Sequence, residues 1–146
     1  MSPARILIVD NDVRVLQVLS QTVSREMSNV VVDSAVLAKN ALHSLKTHGY
    51  DAVLIDRMIP EMGGVALARQ MRTIAPFIPI ILMSDAVHLS EGVTSSDIFE
   101  YLAKPVDHRL LVAALARAIS HGPVSRQTIK PANNTELLIY THCYGD

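Results

Sequence analysis

Short apolar runs alternate with longer segments of helical period along most of this 146-residue chain. The runs are rich in β-branched residues and occupy positions 5–9, 30–33, 51–55, 78–83 and 98–102. Continuous apolar runs of this length are typical of parallel strands that are covered on both faces. The alternation therefore predicts an α/β fold, in which helices wrap both faces of an open, doubly wound, five-stranded parallel sheet.

The segments between the runs differ in how strongly they predict helix. We expect Gly49 to cap the second helix at its carboxyl end and the letters HGP to end the last one, about 106–120. The fourth crossover, 85–97, is the weakest helix candidate because it contains a glycine and several small hydroxyl residues.

Composition excludes several classes of protein. The chain is 49% hydrophobic with a net charge of −1, so no basic excess favours a nucleic acid or an anionic membrane as partner. The apolar runs are too short to span a membrane, and the first residues lack the pattern of a signal peptide. Cys143 is the only cysteine, which excludes an internal disulfide. These features favour a cytoplasmic location.

Polar residues follow each predicted strand. Because the carboxyl ends of parallel strands meet at one edge of a sheet, we expect these side chains to lie near each other. Clustered carboxylates raise each other's pKa unless a cation lies among them, and a hard cation such as Mg²⁺ suits oxygen ligands. A lysine and a serine at the same edge fit the binding of a phosphoryl group. The strand-end residues are Asp10-Asn11-Asp12, Asp33-Ser34, Asp56, Ser84-Asp85 and Lys104.

Four motifs, taken in order, resemble a known family. The letters IVDND, LIDRMIPEMGG, ILMSD and YLAKP are similar to the conserved strand ends of the receiver domain of two-component response regulators, and the resemblance covers roughly residues 4–120. It implies the flavodoxin-like strand order 2-1-3-4-5 and a receiver domain at 1–121. It also implies a signalling domain and not an enzyme, apart from self-catalysed phosphotransfer.

The resemblance assigns a role to each motif. Asp56 is implied as the phosphoacceptor, with Mg²⁺ held by Asp10, Asn11, Asp56 and the backbone carbonyl of Met58. An Asp carboxylate can attack a phosphorylated donor and form an acyl phosphate. The family's donor is a histidine kinase or a histidine phosphotransfer protein.

The remaining implied roles concern the response to phosphorylation. Lys104 would pair with the phosphoryl group, Ser84 would bind one of its oxygens, and Tyr101 matches the aromatic switch position of strand five. The movement of Ser84 and Tyr101 would shift a two-state surface around the fourth crossover, strand five and the last helix, which a downstream protein target reads.

The sequence departs from the family pattern in four places. Asn11 replaces the second acid, so the site loses a negative charge and its affinity for Mg²⁺ should fall. Ile59 replaces a Met, Ser95-Ser96 stands where a Gly-Ala pair is common, and the interval from Ser84 to Lys104 is short. The last two departures predict a shortened or irregular fourth helix.

Other interpretations of the same residues stay open. Asp12 is a good helix cap, since Asp and Asn favour that position. The letters IVDNDV also resemble the nucleophile motif of haloacid-dehalogenase-type phosphohydrolases, with Asp10 as nucleophile and Asp12 as acid/base. A pseudo-receiver, a binding module in which Asn11 marks a decaying metal site, is the third possibility.

The last 25 residues lie outside the resemblance. Residues 122–146 begin as a linker with two prolines and then include the apolar letters ELLIYTHC, which predict a short strand. That strand could pack on the domain, pair across a homodimer or begin a further segment. The tail is too short for a recognisable DNA-binding domain, so we expect no nucleic-acid contact from it.

Overall fold

The computed structural model describes residues 2–85 and 96–121. The fourth crossover helix predicted within 85–97 and the tail strand predicted within 122–146 lie almost wholly outside these residues. In chain order the described elements are β1 Ala4–Val9, α1 Val13–Glu26, β2 Val30–Ala35, α2 Ala38–Thr47, β3 Ala52–Asp56, α3 Gly64–Ile74, β4 Ile80–Asp85, β5 Glu100–Lys104 and α4 His108–His121.

All five strands belong to one parallel sheet with the order β2-β1-β3-β4-β5. One face of the sheet packs against α2 and α3, and the other packs against α1 and α4. The three central strands are almost fully buried, which explains why they are continuous runs of Ile, Leu and Val. The predicted fold class and strand order are confirmed.

Two strands lie about two residues later than predicted. The apolar runs predicted strands at 78–83 and 98–102, but β4 is Ile80–Asp85 and β5 is Glu100–Lys104. Ile78 and Ile98 are buried although they precede their strands, so each apolar run in the sequence begins two residues before the strand does. Pairing then continues through the polar residues that the sequence had placed after the strands.

The ends of the helices follow capping chemistry, with one wrong prediction. Asp12 caps α1 as expected, since its carboxylate accepts the backbone N–H groups of Arg14 and Val15. Gly49 does not cap α2, because the backbone turns extended at His48 directly after the helix. The Thr47 hydroxyl instead donates to carbonyls of the last turn.

A close approach of α3 to the end of β3 requires glycine. A Cβ on Gly64 would lie 2.6 Å from the Asp56 carbonyl oxygen and 2.9 Å from the Arg57 Cα, both backbone atoms. Gly63 precedes it with φ +78°, a left-handed conformation that favours glycine. The two glycines therefore let the helix begin directly beside Asp56.

We expect Gly64→Ala to lower the free energy of unfolding by about 1–3 kcal/mol, since overpacking forces the backbone apart. Urea unfolding of the purified chain measures it. Gly49→Ala is the matched control, because a Cβ there meets nothing within 4 Å. Equal stability of the two variants would show that the turn absorbs the added methyl group without cost.

Candidate functional site

The register of β1 and β3 brings two carboxylates together. Val9 pairs with Ile55, so the residues that follow them, Asp10 and Asp56, lie at the same level of the sheet. Both are buried, at 2% and 4% exposed. Two buried carboxylates on neighbouring strands form the acidic floor of a site at the carboxyl edge of the sheet.

The next two strands bring a hydroxyl and an ammonium group to the same edge. Asp56 pairs with Met83, which places Ser84 one residue beyond it on β4. Asp85 in turn pairs with Lys104, the last residue of β5. The four strand ends predicted to converge at residues 10, 56, 84 and 104 therefore do so.

Alternation along the strands sets the direction of the two charged side chains. Leu54 and Leu102 belong to the core beneath α1 and α4. Asp56 and Lys104 follow them by two residues and so point to the same face of the sheet. The contact between Lys104 Nζ and Asp56 Oδ1 agrees with this direction.

The Lys104–Asp56 ion pair is partly shielded from solvent. The Lys104 side chain is 38% exposed, whereas that of Asp56 is 5% exposed. Removing one partner of such a pair leaves the other charge buried without compensation, which is costly. The ammonium group is thus the cation that this chain itself supplies to Asp56.

Asp10 carries a buried oxygen that the described residues leave without a partner. Its Oδ1 accepts the backbone N–H of Asp12 at 2.9 Å, but no described donor reaches Oδ2. Burial raises the pKa of Asp10, and the charge of Asp56 raises it further, although the Asp12 amide and Lys104 oppose the shift. A cation beside Oδ2 would relieve both effects.

The oxygen ligands at this edge of the sheet fit a magnesium ion, although only two of them carry a negative charge. Asp10 and Asp56 would supply carboxylates and the exposed Asn11 an amide oxygen, and Met58 follows Asp56 by two residues. Mg²⁺ commonly takes one or two carboxylates and keeps several waters. Among residues 2–85 and 96–121 no group of three His, Cys, Asp or Glu side chains could hold a metal, so a cation here would also need other oxygen ligands or water.

The turn after β3 fixes the position of Asp56. The Arg57 amide donates to the Met83 carbonyl at 2.8 Å, which extends the sheet by one bond past Asp56. The Gly64 amide donates to the Arg57 carbonyl at 2.8 Å and closes the loop. The paired glycines of the motif LIDRMIPEMGG have a local reason in the structure, because Gly64 packs against the Asp56 backbone.

Ser84 and Tyr101 occupy the positions expected from the sequence. Ser84 is 2% exposed, and its hydroxyl donates a long hydrogen bond, 3.4 Å, to the Asp85 carbonyl. Tyr101 is half-buried and packs on the core beneath α2 and α3, on the opposite face from Lys104. The structure gives these positions, and the roles of both residues in switching stay predictions.

Asp33 does not belong to the site, contrary to the sequence expectation. Strand β2 continues to Ala35, and Asp33 lies mid-strand beside Leu7 of β1. Its carboxylate accepts hydrogen bonds from the Tyr50 hydroxyl at 2.7 Å and from Arg5 at 3.0 Å. Burial alone would raise the pKa of Asp33, but these bonds outweigh it and lower the pKa, while burial and Asp33 raise that of Tyr50 to about 12.

Comparison with known proteins identifies the class. The model of the response regulator receiver domain family matches residues 6–116. The transcriptional regulatory protein ZraR of Escherichia coli K12 is 28% identical over 118 residues, which cover 80% of this chain and 26% of that protein. The response regulator MprA of Mycolicibacterium vanbaalenii is 31% identical over 115 residues, which cover 77% of this chain and 49% of that protein.

Solved structures give the same answer. The signal receiver domain of an HD domain-containing protein from Pseudomonas fluorescens Pf-5 superposes with a TM-score of 0.73 at 28% identity, covering 83% of this chain and 90% of that one. The fold, the convergence of Asp10, Asp56 and Lys104, and these matches define a receiver domain of two-component systems. This chain belongs to the response regulator receiver family. It spans between about a quarter and about half of the length of the curated relatives named above.

No helix within residues 2–85 and 96–121 is both long enough and apolar enough to cross a membrane.

Proposed function

We propose that this chain receives a phosphoryl group on Asp56 from a histidine kinase or a histidine phosphotransfer protein. The observation that carries the proposal is the Lys104 ammonium in contact with the buried Asp56 carboxylate, beside the buried and partly unpartnered Asp10. Family membership supports the kind of donor. Receiver domains are signalling domains, so the only chemistry proposed here is the transfer to the chain itself.

The proposed step uses Asp56 as a nucleophile. A carboxylate oxygen of Asp56 attacks the phosphorus of the donor phosphohistidine, the phosphorus–nitrogen bond breaks, and the imidazole nitrogen keeps the bonding electron pair and takes a proton from water. Negative charge accumulates on the transferring group, and Lys104 lies where it can neutralise part of it. Burial of Asp56 limits the access of water to the acyl phosphate that forms.

We propose that Mg²⁺ is the cofactor of this step. Asp10, Asn11, Asp56 and the backbone carbonyl of Met58 are the groups of this chain that would hold it. When bound, the ion neutralises charge on the phosphoryl oxygens. Asp10 contributes the buried oxygen that has no described hydrogen-bond donor, and this oxygen is the strongest local reason to expect a cation.

The proposed output is a conformational switch. Ser84 would turn toward a phosphoryl oxygen, and Tyr101 would move into the space that Ser84 leaves. Among the described residues, the hydroxyl of Ser84 has one long hydrogen bond to give up, and losing such a bond costs little. The surface around β5 and α4 would then present a changed face to a downstream protein. Response regulators are typically cytoplasmic, and we propose the same location here.

We predict that acetyl phosphate and Mg²⁺ add one phosphoryl group to the wild-type chain and none to Asp56→Asn, because the amide is not a nucleophile. Intact-mass spectrometry of the folded chain measures the gain. Asp12→Asn is the matched control, since Asn caps a helix about as well as Asp and Asp12 lies at the same edge of the sheet.

The outcome that contradicts the proposal is an unmodified wild-type chain that is folded by circular dichroism. Modification of Asp56→Asn to the wild-type extent would assign the chemistry to another residue. Loss of modification in Asp12→Asn would extend the machinery to Asp12 and revive its alternative role as an acid/base.

The phosphohydrolase interpretation has less support than the receiver chemistry. It requires Asp12 to act as acid/base, but Asp12 Oδ1 accepts the Arg14 amide at 2.9 Å as the cap of α1. The interpretation also leaves the ion pair of Asp56 with Lys104 unexplained. The match to the receiver family over residues 6–116 agrees with the receiver chemistry instead.

A pseudo-receiver that binds partners without phosphorylation is the second candidate, and Asn11 favours it. With Asn11 in place of an acid, the described site carries two carboxylates against one lysine, so its net charge is −1. Ligand charge count strongly tunes the affinity of oxygen sites for divalent cations. A site too weak to bind Mg²⁺ at the concentrations in a cell would keep the fold and lose the chemistry.

We predict that Asn11→Asp raises the affinity for Mg²⁺ by roughly a factor of ten, because it restores a carboxylate beside Asp10. The increase in melting temperature on titration with MgCl₂ reports binding, since a ligand of the native state stabilises it. Asn29→Asp, a change of equal charge in a loop at the opposite edge of the sheet, is the control.

Two results decide between the candidates. Saturable Mg²⁺ binding by the wild-type chain in the low millimolar range supports the phosphoacceptor. No binding by the wild-type chain together with clear binding by Asn11→Asp would establish the pseudo-receiver.

A further inference from the structure

A cavity of about 370 Å³ lies between α1 and the connection from β5 to α4. Its walls are mainly apolar and come from two sides: α1 supplies one wall, and the ends of β4 and β5 supply the other. The apolar side chains that matter for the argument are Val15, Val18, Leu19, Met83 and Val106.

The cavity and the phosphoacceptor site share one residue. Lys104 lines the cavity and also contacts the Asp56 carboxylate. Met83, another lining residue, is the strand partner of Asp56 and belongs to the core on the face to which Asp56 points. A molecule that presents a phosphoryl group to Asp56 therefore has an apolar recess within reach.

The charge of the lining suits an anion. Among the described residues that line the cavity, Arg14 and Lys104 are charged, His108 is titratable, and none is acidic. An anionic head group followed by a short apolar chain would match both the cations and the apolar wall.

We propose that this cavity binds the acyl chain of small acyl phosphates. The protein would then accept a phosphoryl group faster from acyl phosphates longer than acetyl phosphate. The inference rests on the proposed function of Asp56. In the step, an Asp56 carboxylate oxygen forms a bond to phosphorus, the bond from phosphorus to the acyl oxygen breaks, and the acid leaves as its carboxylate with that electron pair. No other reactant is needed.

The size of the expected effect follows from the burial of methylene groups. Each buried methylene strengthens binding roughly fourfold. Butyryl phosphate has two methylenes more than acetyl phosphate, and the cavity is open to solvent on one side, so we expect about a tenfold gain in the rate at limiting donor.

The experiment compares butyryl and acetyl phosphate on the full chain. With Mg²⁺ present and donor limiting, the initial rate of phosphorylation is followed by intact-mass spectrometry, and the ratio of the two rates is the readout. Val18→Trp should bring the ratio close to one, because a bulky ring fills the recess. Val18 is 51% exposed, so the substitution leaves the core intact.

Val36→Trp is the matched control. Val36 is 37% exposed, lies between β2 and α2 and does not line the cavity, so its ratio should equal the wild-type ratio. A second measurement uses acetyl phosphate as the donor throughout. Sodium butyrate should slow phosphorylation of the wild-type protein more than sodium acetate does. Val18→Trp should remove this difference.

Equal rates with the two donors in the wild-type chain would overturn the inference and leave the phosphoacceptor proposal intact. A tenfold ratio that survives in Val18→Trp would overturn it as well, because the advantage would then arise elsewhere. Phosphorylation by neither donor would overturn the proposed function, and the inference would fall with it.

Discussion

Two carboxylates, Asp10 and Asp56, are buried at the ends of neighbouring strands, and the Lys104 ammonium contacts that of Asp56. Burying like charges together is costly unless cations compensate. One ammonium against two carboxylates leaves the site short of positive charge. The same shortage of positive charge makes the site suited to a divalent cation.

The sheet and the turn after β3 hold these charged residues close together. The parallel register places residues 10 and 56 at one level and brings Lys104 to the same edge. Gly64 lets α3 begin against the Asp56 backbone, and the Arg57 amide ties the turn to β4. Backbone contacts thus fix the turn beside Asp56, and the Lys104 ammonium contacts the Asp56 carboxylate.

Continuous apolar runs and the polar residues after them were sufficient for the fold class and the four converging strand ends, whereas the strand order came from the family resemblance of the four motifs. It misplaced β4 and β5 by two residues, since Ile78 and Ile98 are buried before pairing starts. It also placed Asp33 at the site, although the partners of Asp33, Arg5 and Tyr50, lie far from it in sequence. The register of strand pairing and the hydrogen bonds between residues distant in sequence cannot be read from local sequence patterns.

The identity of the residue that carries the phosphoryl group is the most direct test of this account. Borohydride reduces an aspartyl phosphate to homoserine, so reduction after treatment with acetyl phosphate and Mg²⁺, followed by peptide mass spectrometry, locates the acceptor. The account predicts homoserine at position 56 and unchanged Asp at position 10. Homoserine at position 10, or at any position other than 56, would contradict it.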